Sequence, residues 1–531
     1  MTQILISEDA DYQLEDVRTT LDEDVCVRID SRTLQQLDES FEVFSSGGAI
    51  SSPGSPVYGL DTGLGPMVTT PIDRTQLPSQ QRQLLLSHAS GFGAPLNWQQ
   101  ARAALFARAC SMSRNRSAVR SLLPTTMAKL LSAGVAPYIP RHGGVGASGD
   151  LVQLAHLGLL LVGEGDALLP NNQASADYAL EIAGCDPIEL VFRDGLAIVN
   201  GLSAMTGVGL VAVIDAMRLV DVAFQISALM AEIVGAGEEP FSAALSSVKK
   251  SNGQGGAAYR LRHLMAESPA LLRHTDYDAH NPRPLQEHYS IRCTPQILGA
   301  INQAIENARD TLLDELNSVS DNPVFFADDR AIVHGGNFHG EPIAMAMDAM
   351  KIAVVKLTVL MERQLNFLLH DGINQILPAF LNGGTKGVEF GFQGAQFTAT
   401  STTAHNQSLA FPMSAHSITC NRDNQDIVSM GCDAALMTAD TIANAEGVAA
   451  ITSMAVAEAV RLLSLEQQIS PTGRRFISAI AGNAEAGGTG KIAFYEALAA
   501  VKSQLFTSGT TLAEPCDAKK TLSPPALQTV Q

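Results

Sequence analysis

Between His142 and Asp150 the chain reads His-Gly-Gly-Val-Gly-Ala-Ser-Gly-Asp, and several chemistries compete for that loop. Gly144, Gly146 and Gly149 satisfy the G-x-G-x-x-G spacing of a dinucleotide-binding turn. That turn needs an apolar strand directly before it, whereas residues 135–142 are broken by Pro137 and Pro140 and no series of βα repeats follows. The G-x-S-x-G nucleophile elbow fails as well, because glycine directly follows Ser148. Another chemistry is a backbone cyclisation. The amide nitrogen of Gly149 can attack the carbonyl carbon of Ala147 and close a five-membered ring, with glycine required because a side chain would obstruct the approach. Loss of water, including the Ser148 hydroxyl, leaves an exocyclic methylene conjugated to that ring. The product, 4-methylidene-imidazol-5-one, is a strong electrophile. Spacing alone favours a plainer use, an anion-binding or tight structural turn, and keeps both readings open.

The elements around the loop are helical. Asp150 is placed to cap a helix over 151–162, which puts the glycine-rich loop at a helix N-terminus. Apolar residues recur at helical spacing from 82 to 131, interrupted by Gly91 and Gly93. Long patterns over 295–317, 342–369 and 427–465 predict a helix bundle shared between subunits. Residues 1 to 50 mix short β-like runs, such as 25–29, with polar turns, and the Gly/Ser/Pro stretch 45–56 reads as a mobile loop ahead of Tyr58. The resulting division is an N-terminal region with the catalytic and cofactor-forming loops over 1–200, a central long-helix bundle with C-terminal helices over 201–506, and a flexible tail over 507–531.

Composition narrows the function classes. With 46% hydrophobic and 17% charged residues, eight Tyr and one Trp, the chain is a soluble, tightly packed helical protein, and a disordered chain is excluded. The net charge of −19 carries no basic stripe, so nucleic acid is not an expected partner. Seven scattered cysteines without a C-x-x-C pair predict reduced thiols and a cytoplasmic protein. The first residues lack the basic and apolar regions of a secretory signal. The uncharged run 195–214 contains Asn200, Ser203, Thr206 and four glycines, which reads as a buried helix with a functional turn, not a membrane span. No metal site is expected: H-E-x-x-H is missing, and His334 and His339 sit in a glycine-rich turn.

The stretch Gly143-Gly-Val-Gly-Ala-Ser-Gly-Asp-Leu-Val-Gln-Leu-Ala-His156 resembles the cofactor-forming motif of the histidine, phenylalanine and tyrosine ammonia-lyases and their aminomutase relatives. The resemblance continues in order through Tyr58-Gly-Leu-Asp-Thr-Gly-Leu-Gly65, Gly195-Leu-Ala-Ile-Val-Asn200, Tyr289-Ser-Ile-Arg-Cys-Thr-Pro-Gln296, Asn317-Ser-Val-Ser-Asp-Asn-Pro323, Gly335-Gly-Asn-Phe-His-Gly340 and Asn424-Gln-Asp-Ile-Val-Ser-Met-Gly431. It implies a mainly α, long-helix bundle of the ammonia-lyase/fumarase-like type with a smaller mixed N-terminal region. It also implies a homotetramer whose active sites draw on more than one subunit, and a methylidene-imidazolone formed autocatalytically from Ala147, Ser148 and Gly149, without metal or nucleotide.

The roles carried by resemblance make chemical sense, because the reaction removes a weakly acidic benzylic β-proton while expelling a poor leaving group. Tyr58 matches the catalytic tyrosine and would take the β-proton, which a phenol does only where its surroundings favour the phenolate. Arg292 matches the arginine that grips the substrate carboxylate, for which a planar fork is suited. Asn200 matches the asparagine that contacts the cofactor, and Tyr289 and Gln286 match positions flanking substrate and cofactor. Phe338, Asn421 and Gln425 complete the expected substrate-binding set. The helix N-terminus at Asp150 would stabilise the ring oxygen. Three positions depart from the family pattern: Asp61 and Ser320 where Asn is usual, and Leu202 where Thr is usual.

Substrate choice in such enzymes is influenced by a pair against the substrate ring, here Ser87 and His88. That pair resembles histidine and some tyrosine enzymes, and His88 could donate to or accept from a phenolic hydroxyl. Gln425 stands where histidine-specific relatives carry glutamate, and Asn382-Gly-Gly-Thr-Lys386 and the run 394–404 resemble bacterial tyrosine ammonia-lyases. The expectation is therefore L-tyrosine to 4-coumarate. The alternatives are histidine to urocanate, a 2,3-aminomutase that returns ammonia to the β-carbon, and, from another class, a non-catalytic helical scaffold.

Overall fold

The structure, a computed structural model, describes residues 2–46, 56–271, 286–488 and 491–507. Among the described residues nineteen α-helices carry most of the chain, and strands occur only in small two- and three-stranded sheets. The expected mainly α architecture is the one adopted. The predicted long helices are Thr294–Leu316, Glu341–Leu369 and Gly431–Leu462, each within a few residues of its apolar pattern. The glycine-interrupted pattern over 82–131 resolves into Leu77–His88, Trp98–Ser113 and Leu122–Ser132, with a short strand Phe92–Pro95 at the interruption. Most of the loop read over 45–56, and the tail beyond 507, lie outside the described residues.

Two compact units divide the chain. The first comprises residues 1–214, 307–349 and 411–439, and the second 215–306, 350–410 and 440–531. In the first unit, strand Thr2–Ile6 pairs in parallel with Val25–Ile29, Thr2 opposite Val25. The helix Ser31–Ser45 follows, capped by the Asp30 carboxylate, which accepts from Thr33 N–H. This helix lends Phe44 to an apolar cluster with Val57, Leu60, Leu77, Ala118, Phe192 and Phe325. Val57 and Leu60 bracket Tyr58, so burial of its neighbours fixes the loop that presents it.

Helix Trp98–Ser113 is buried along nearly its whole length, and its alanines permit close packing. Its two buried arginines serve backbone carbonyls: Arg102 donates to those of Thr20 and Asp22, and Arg108 Nη1 to that of Asn200 at 2.9 Å. A third buried arginine, Arg193, forms a bidentate pair with Asp321, at 2.7 Å and 2.9 Å, with both side chains fully buried. The pair ties the segment leading to Asn200 to the 317–323 motif.

In the second unit, polar side chains staple apolar helices. Asn406 donates to Thr358 Oγ1 at 3.2 Å and to the Thr441 carbonyl at 3.0 Å, and Glu232 accepts from Ser470 N–H at 2.7 Å. Gln364 donates to Ser227 Oγ at 3.0 Å and to the Ser290 carbonyl at 2.9 Å, which fixes the turn Tyr289–Arg292. The run 195–214, which belongs to the first unit, is buried helix with a turn at Asn200. Among the described residues no helix is long and apolar enough to cross a membrane.

Candidate active site

The glycine-rich loop is held from three directions within the first unit. Met430 N–H donates to the Val145 carbonyl at 3.0 Å, Ser429 Oγ to that of Gly146 at 3.1 Å, and Gly340 N–H to the same oxygen at 3.4 Å. Asp150 N–H donates to the Gly201 carbonyl at 2.8 Å, which sets Gly149 beside Gly201 as a parallel bridge. Gly146 and Gly149 both take φ of +73°, and a Cβ on either would collide, with Ser429 Oγ and with the Gly201 carbonyl respectively. Ala147 and Gly149 are buried while Ser148 between them is only half-buried.

The sequence placed Asp150 as the cap of its own helix, and the structure corrects this. Asp150 occupies the cap position of Leu151–Leu161 without a side-chain cap bond. Its Oδ2 accepts instead from Met205 N–H at 2.8 Å, at the start of helix Ser203–Val234. Full burial raises its carboxyl to about 7, against the opposing hydrogen bonds from the Met205 and Ala204 amides and the Arg108 charge. The other oxygen, Oδ1, has no partner.

Asn200 lies one residue before Gly201 and is buried. Its Nδ2 donates to the Asn322 carbonyl at 3.4 Å, while its Oδ1 is buried without a partner. A buried orphan acceptor next to Ala147-Ser148-Gly149 fits a group formed there. Ser320, one of the three departures, accepts from Leu202 N–H at 3.2 Å and hydrogen-bonds to Glu315, whose carboxyl burial raises to about 7. A serine thus serves this polar junction. Asp61, a second departure, accepts from Val57 N–H at 3.2 Å and Arg74 Nε at 3.1 Å, closing the Tyr58 loop.

The Tyr58 hydroxyl accepts from Gly65 N–H at 2.9 Å, and Tyr58 N–H donates to His334 Nε2 at 3.4 Å. A Cβ built on Gly65 would stand 3.0 Å from Asn421 Nδ2, so the Asn421 amide lies against the same loop. Asn421, Arg422 and Asp423 all have positive φ, and this tight turn brings Cys420 and Gln425 into an antiparallel bridge. Gln425 Nε2 donates to Ser148 Oγ at 2.6 Å. Phe338 is half-buried on the loop that Gly340 fastens to Gly146.

Ser87 and His88 end the helix Leu77–His88. His88 Nδ1 lies 3.0 Å from the Leu84 carbonyl, which can only accept, so that nitrogen carries the proton. Ser87 Oγ, 3.0 Å from the same nitrogen, shares it as a second acceptor. In the neutral ring Nε2 is then an acceptor. The segment beyond is pinned by Gly91 N–H donating to His156 Nε2 at 3.2 Å, and burial lowers the pKa of His156, keeping it a neutral acceptor.

In the second unit, Arg292 lies over the Tyr289 ring with its guanidinium 4.7 Å from the ring centre. Its Nε is buried without a partner, whereas Tyr289 is 68% exposed. Gln286 is exposed. The structure therefore gathers Tyr58, Ser148, Asn200, Asn421 and Gln425 in the first unit and Gln286, Tyr289 and Arg292 in the second. Sequence reasoning missed Arg108, Gln364, Cys420 and Ser429. Arg108 and Gln364 had a signal, a long polar side chain on an otherwise apolar helix; Ser429 had none, because Gly146 is 283 positions away, and Cys420 had none, because its partner Gln425, though five positions away, meets it only through a turn of positive-φ residues.

A mainly helical scaffold with a clamped Ala-Ser-Gly loop and an adjoining tyrosine loop defines the ammonia-lyase and aminomutase fold. The chain belongs to the aromatic amino acid lyase family, whose model matches residues 12–482. It is 35% identical over 481 residues to the MIO-dependent tyrosine 2,3-aminomutase of Streptomyces globisporus, spanning 88% of each chain. The crystal structure of that aminomutase matches with a TM-score of 0.87 at 32% identity, over 94% of this chain and 97% of the other. Identity is 36% over 439 residues to the tyrosine ammonia-lyase of Cupriavidus metallidurans, 80% of this chain and 82% of the relative. It is 38% over 427 residues to the histidine ammonia-lyase of Symbiobacterium thermophilum, again 80% and 82%. The relatives divide among three activities, so the family sets the chemistry and side chains within the site must set the substrate.

Proposed function

We propose that the chain is an aromatic amino acid ammonia-lyase that converts L-tyrosine to 4-coumarate, using a methylidene-imidazolone formed from Ala147, Ser148 and Gly149. When formed, that group supplies an electrophile for the substrate amine. The observation that carries the class is the loop itself: a half-buried Ser148 between the buried, Cβ-excluding Gly146 and Gly149, beside the orphan Oδ1 of Asn200. Asn200 would hold the group, Tyr58 would take the β-proton with its oxygen steadied by Gly65 N–H, and Arg292, whose buried Nε has no partner, would grip the carboxylate.

Tyrosine is favoured by the Nδ1–H of His88 bonded to the Leu84 carbonyl, which in the neutral ring leaves Nε2 as an acceptor suited to a phenolic O–H. Gln425, in place of the glutamate of histidine-specific relatives, supports the same choice. Homotetramer assembly in the cytoplasm completes the reading; large apolar side chains left exposed, such as Phe397 and Ile418 at 67% and 73%, support burial between subunits.

The test is a continuous ultraviolet assay with L-tyrosine, L-phenylalanine and L-histidine separately, with Ser148→Ala as control and chromatography for β-amino acids. Cinnamate-type absorbance rising fastest with tyrosine and lost in the variant is expected. Urocanate alone would overturn the substrate, β-tyrosine would make the chain an aminomutase, and no product from any would favour the scaffold.

A further inference from the structure

The contact between Gln425 and Ser148 involves an oxygen that the proposed cofactor must lose. Gln425 Nε2 approaches Ser148 Oγ at 2.6 Å, while Gln425 Oε1 accepts from the Cys420 thiol at 3.1 Å. A carboxamide has two orientations; the Ser148 hydroxyl, which can donate or accept, selects neither, whereas a donor on the oxygen side selects one. The Cys420 thiol is that donor. It is built in: Cys420 and Gln425 exchange backbone hydrogen bonds, Cys420 N–H to the Gln425 carbonyl at 3.1 Å and the reverse at 3.4 Å. The intervening turn is locked by three consecutive positive-φ residues and by Thr419 Oγ1 donating to Asp423 at 2.8 Å. Burial raises the Cys420 pKa, which keeps the proton on sulfur.

We infer that Gln425 is the hydrogen-bond donor that helps remove the Ser148 hydroxyl during cofactor formation, and that Cys420 is the positioning residue that points the donor at it. This rests on the proposed self-formed electrophile. In the first dehydration the Gly149 nitrogen bonds to the Ala147 carbonyl carbon. That carbonyl oxygen leaves as water with the Gly149 and Ser148 amide protons, giving a carbon–nitrogen double bond. In the second, the Ser148 Cα–H bond gives its electron pair to a Cα=Cβ double bond and its proton to water. Oγ departs with the Cβ–Oγ pair, takes up a proton and leaves as a second water. No oxidant or reductant is needed. Negative charge grows on Oγ as its bond breaks, and the Gln425 N–H is already aimed at it.

The test follows the mass of the peptide spanning Ala147-Ser148-Gly149 over time after cell-free synthesis of the full chain is stopped, so it does not depend on catalytic turnover. The wild type is expected to lose two waters. Gln425→Leu should lose the second about 10- to 100-fold more slowly, the scale of one hydrogen bond to developing charge. Cys420→Ala should slow the same loss by a smaller factor, and Cys420→Ser, which restores a donor, should return it to near the wild-type rate. Loss of the second water at the wild-type rate in both Gln425→Leu and Cys420→Ala would overturn the inference, as would equal slowing in Cys420→Ala and Cys420→Ser, since that would mark a packing effect. If the wild type keeps both waters, the self-formed electrophile falls, and the inference with it.

Discussion

The loop around Ser148 and the turn Tyr289–Arg292 are built on opposite terms. Around Ser148 the backbone is over-determined: Val145, Gly146 and Asp150 are each fixed by hydrogen bonds, and the glycines leave no room for a side chain. The Tyr289–Arg292 turn hangs on the Gln364 bond to Ser290, exposes its tyrosine and leaves a buried arginine nitrogen without a partner. A backbone that must react with itself needs its atoms held in place before any ligand arrives. A carboxylate grip needs the reverse, donors kept unpaired until the substrate supplies the acceptor.

Breaking the rigid side should have the largest effect. Arg193→Met leaves Asp321 buried and unpaired beneath the Asn200 segment, and should cost about 3–5 kcal/mol of stability in urea unfolding. An unchanged midpoint would mean that the pair is not needed to hold the rigid region. On the open side, Arg292→Lys keeps the charge but loses the fork, and should lower kcat/KM by roughly 10- to 100-fold while leaving the unfolding midpoint nearly unchanged. Equal damage to both would erase the contrast. His88→Phe removes the Nε2 acceptor and should shift the tyrosine-to-phenylalanine preference by about 10-fold toward phenylalanine, one neutral hydrogen bond's worth; an unmoved ratio would take His88 out of substrate choice.

The gentlest effect is a slope with pH. Asp150, raised to about 7 in the folded state by burial, binds its proton more tightly there than in the unfolded chain. Its contribution to stability is full below about pH 4 and is lost as pH rises to about 7. Glu315, also raised to about 7, acts in the same direction. Asp150→Asn should flatten the fall in urea midpoint between these limits, leaving the part due to Glu315. An unaltered slope would show that Asp150 does not titrate there.

The long helices were legible because a 3.6-residue apolar period sustained for twenty residues or more has one solution, and Glu341–Leu369 emerges almost as read. The Ala147-Ser148-Gly149 loop was legible as a motif. Its clamp was not, because Ser429 and Gln425 reach it from about 280 positions away. Helix Ser31–Ser45 was hidden in a segment whose polar residues resemble turns, and its cap on Asp30 shows only once Thr33 is placed. The role of Asp150 was misread because local spacing suggests capping of the next helix, whereas the amide that receives its carboxylate belongs to Met205.

That separation in sequence also sets a clock for biosynthesis. Gln425 follows Ser148 by 277 residues, which at about 5–20 residues per second means that roughly 15–55 s of translation separate the two. A nascent chain carrying the Ala-Ser-Gly tripeptide therefore emerges before the segment that clamps it. Ring closure, if it needs that clamp, is postponed until the far segment has docked, so the dehydrated tripeptide would be a chemical record that a given molecule had finished folding.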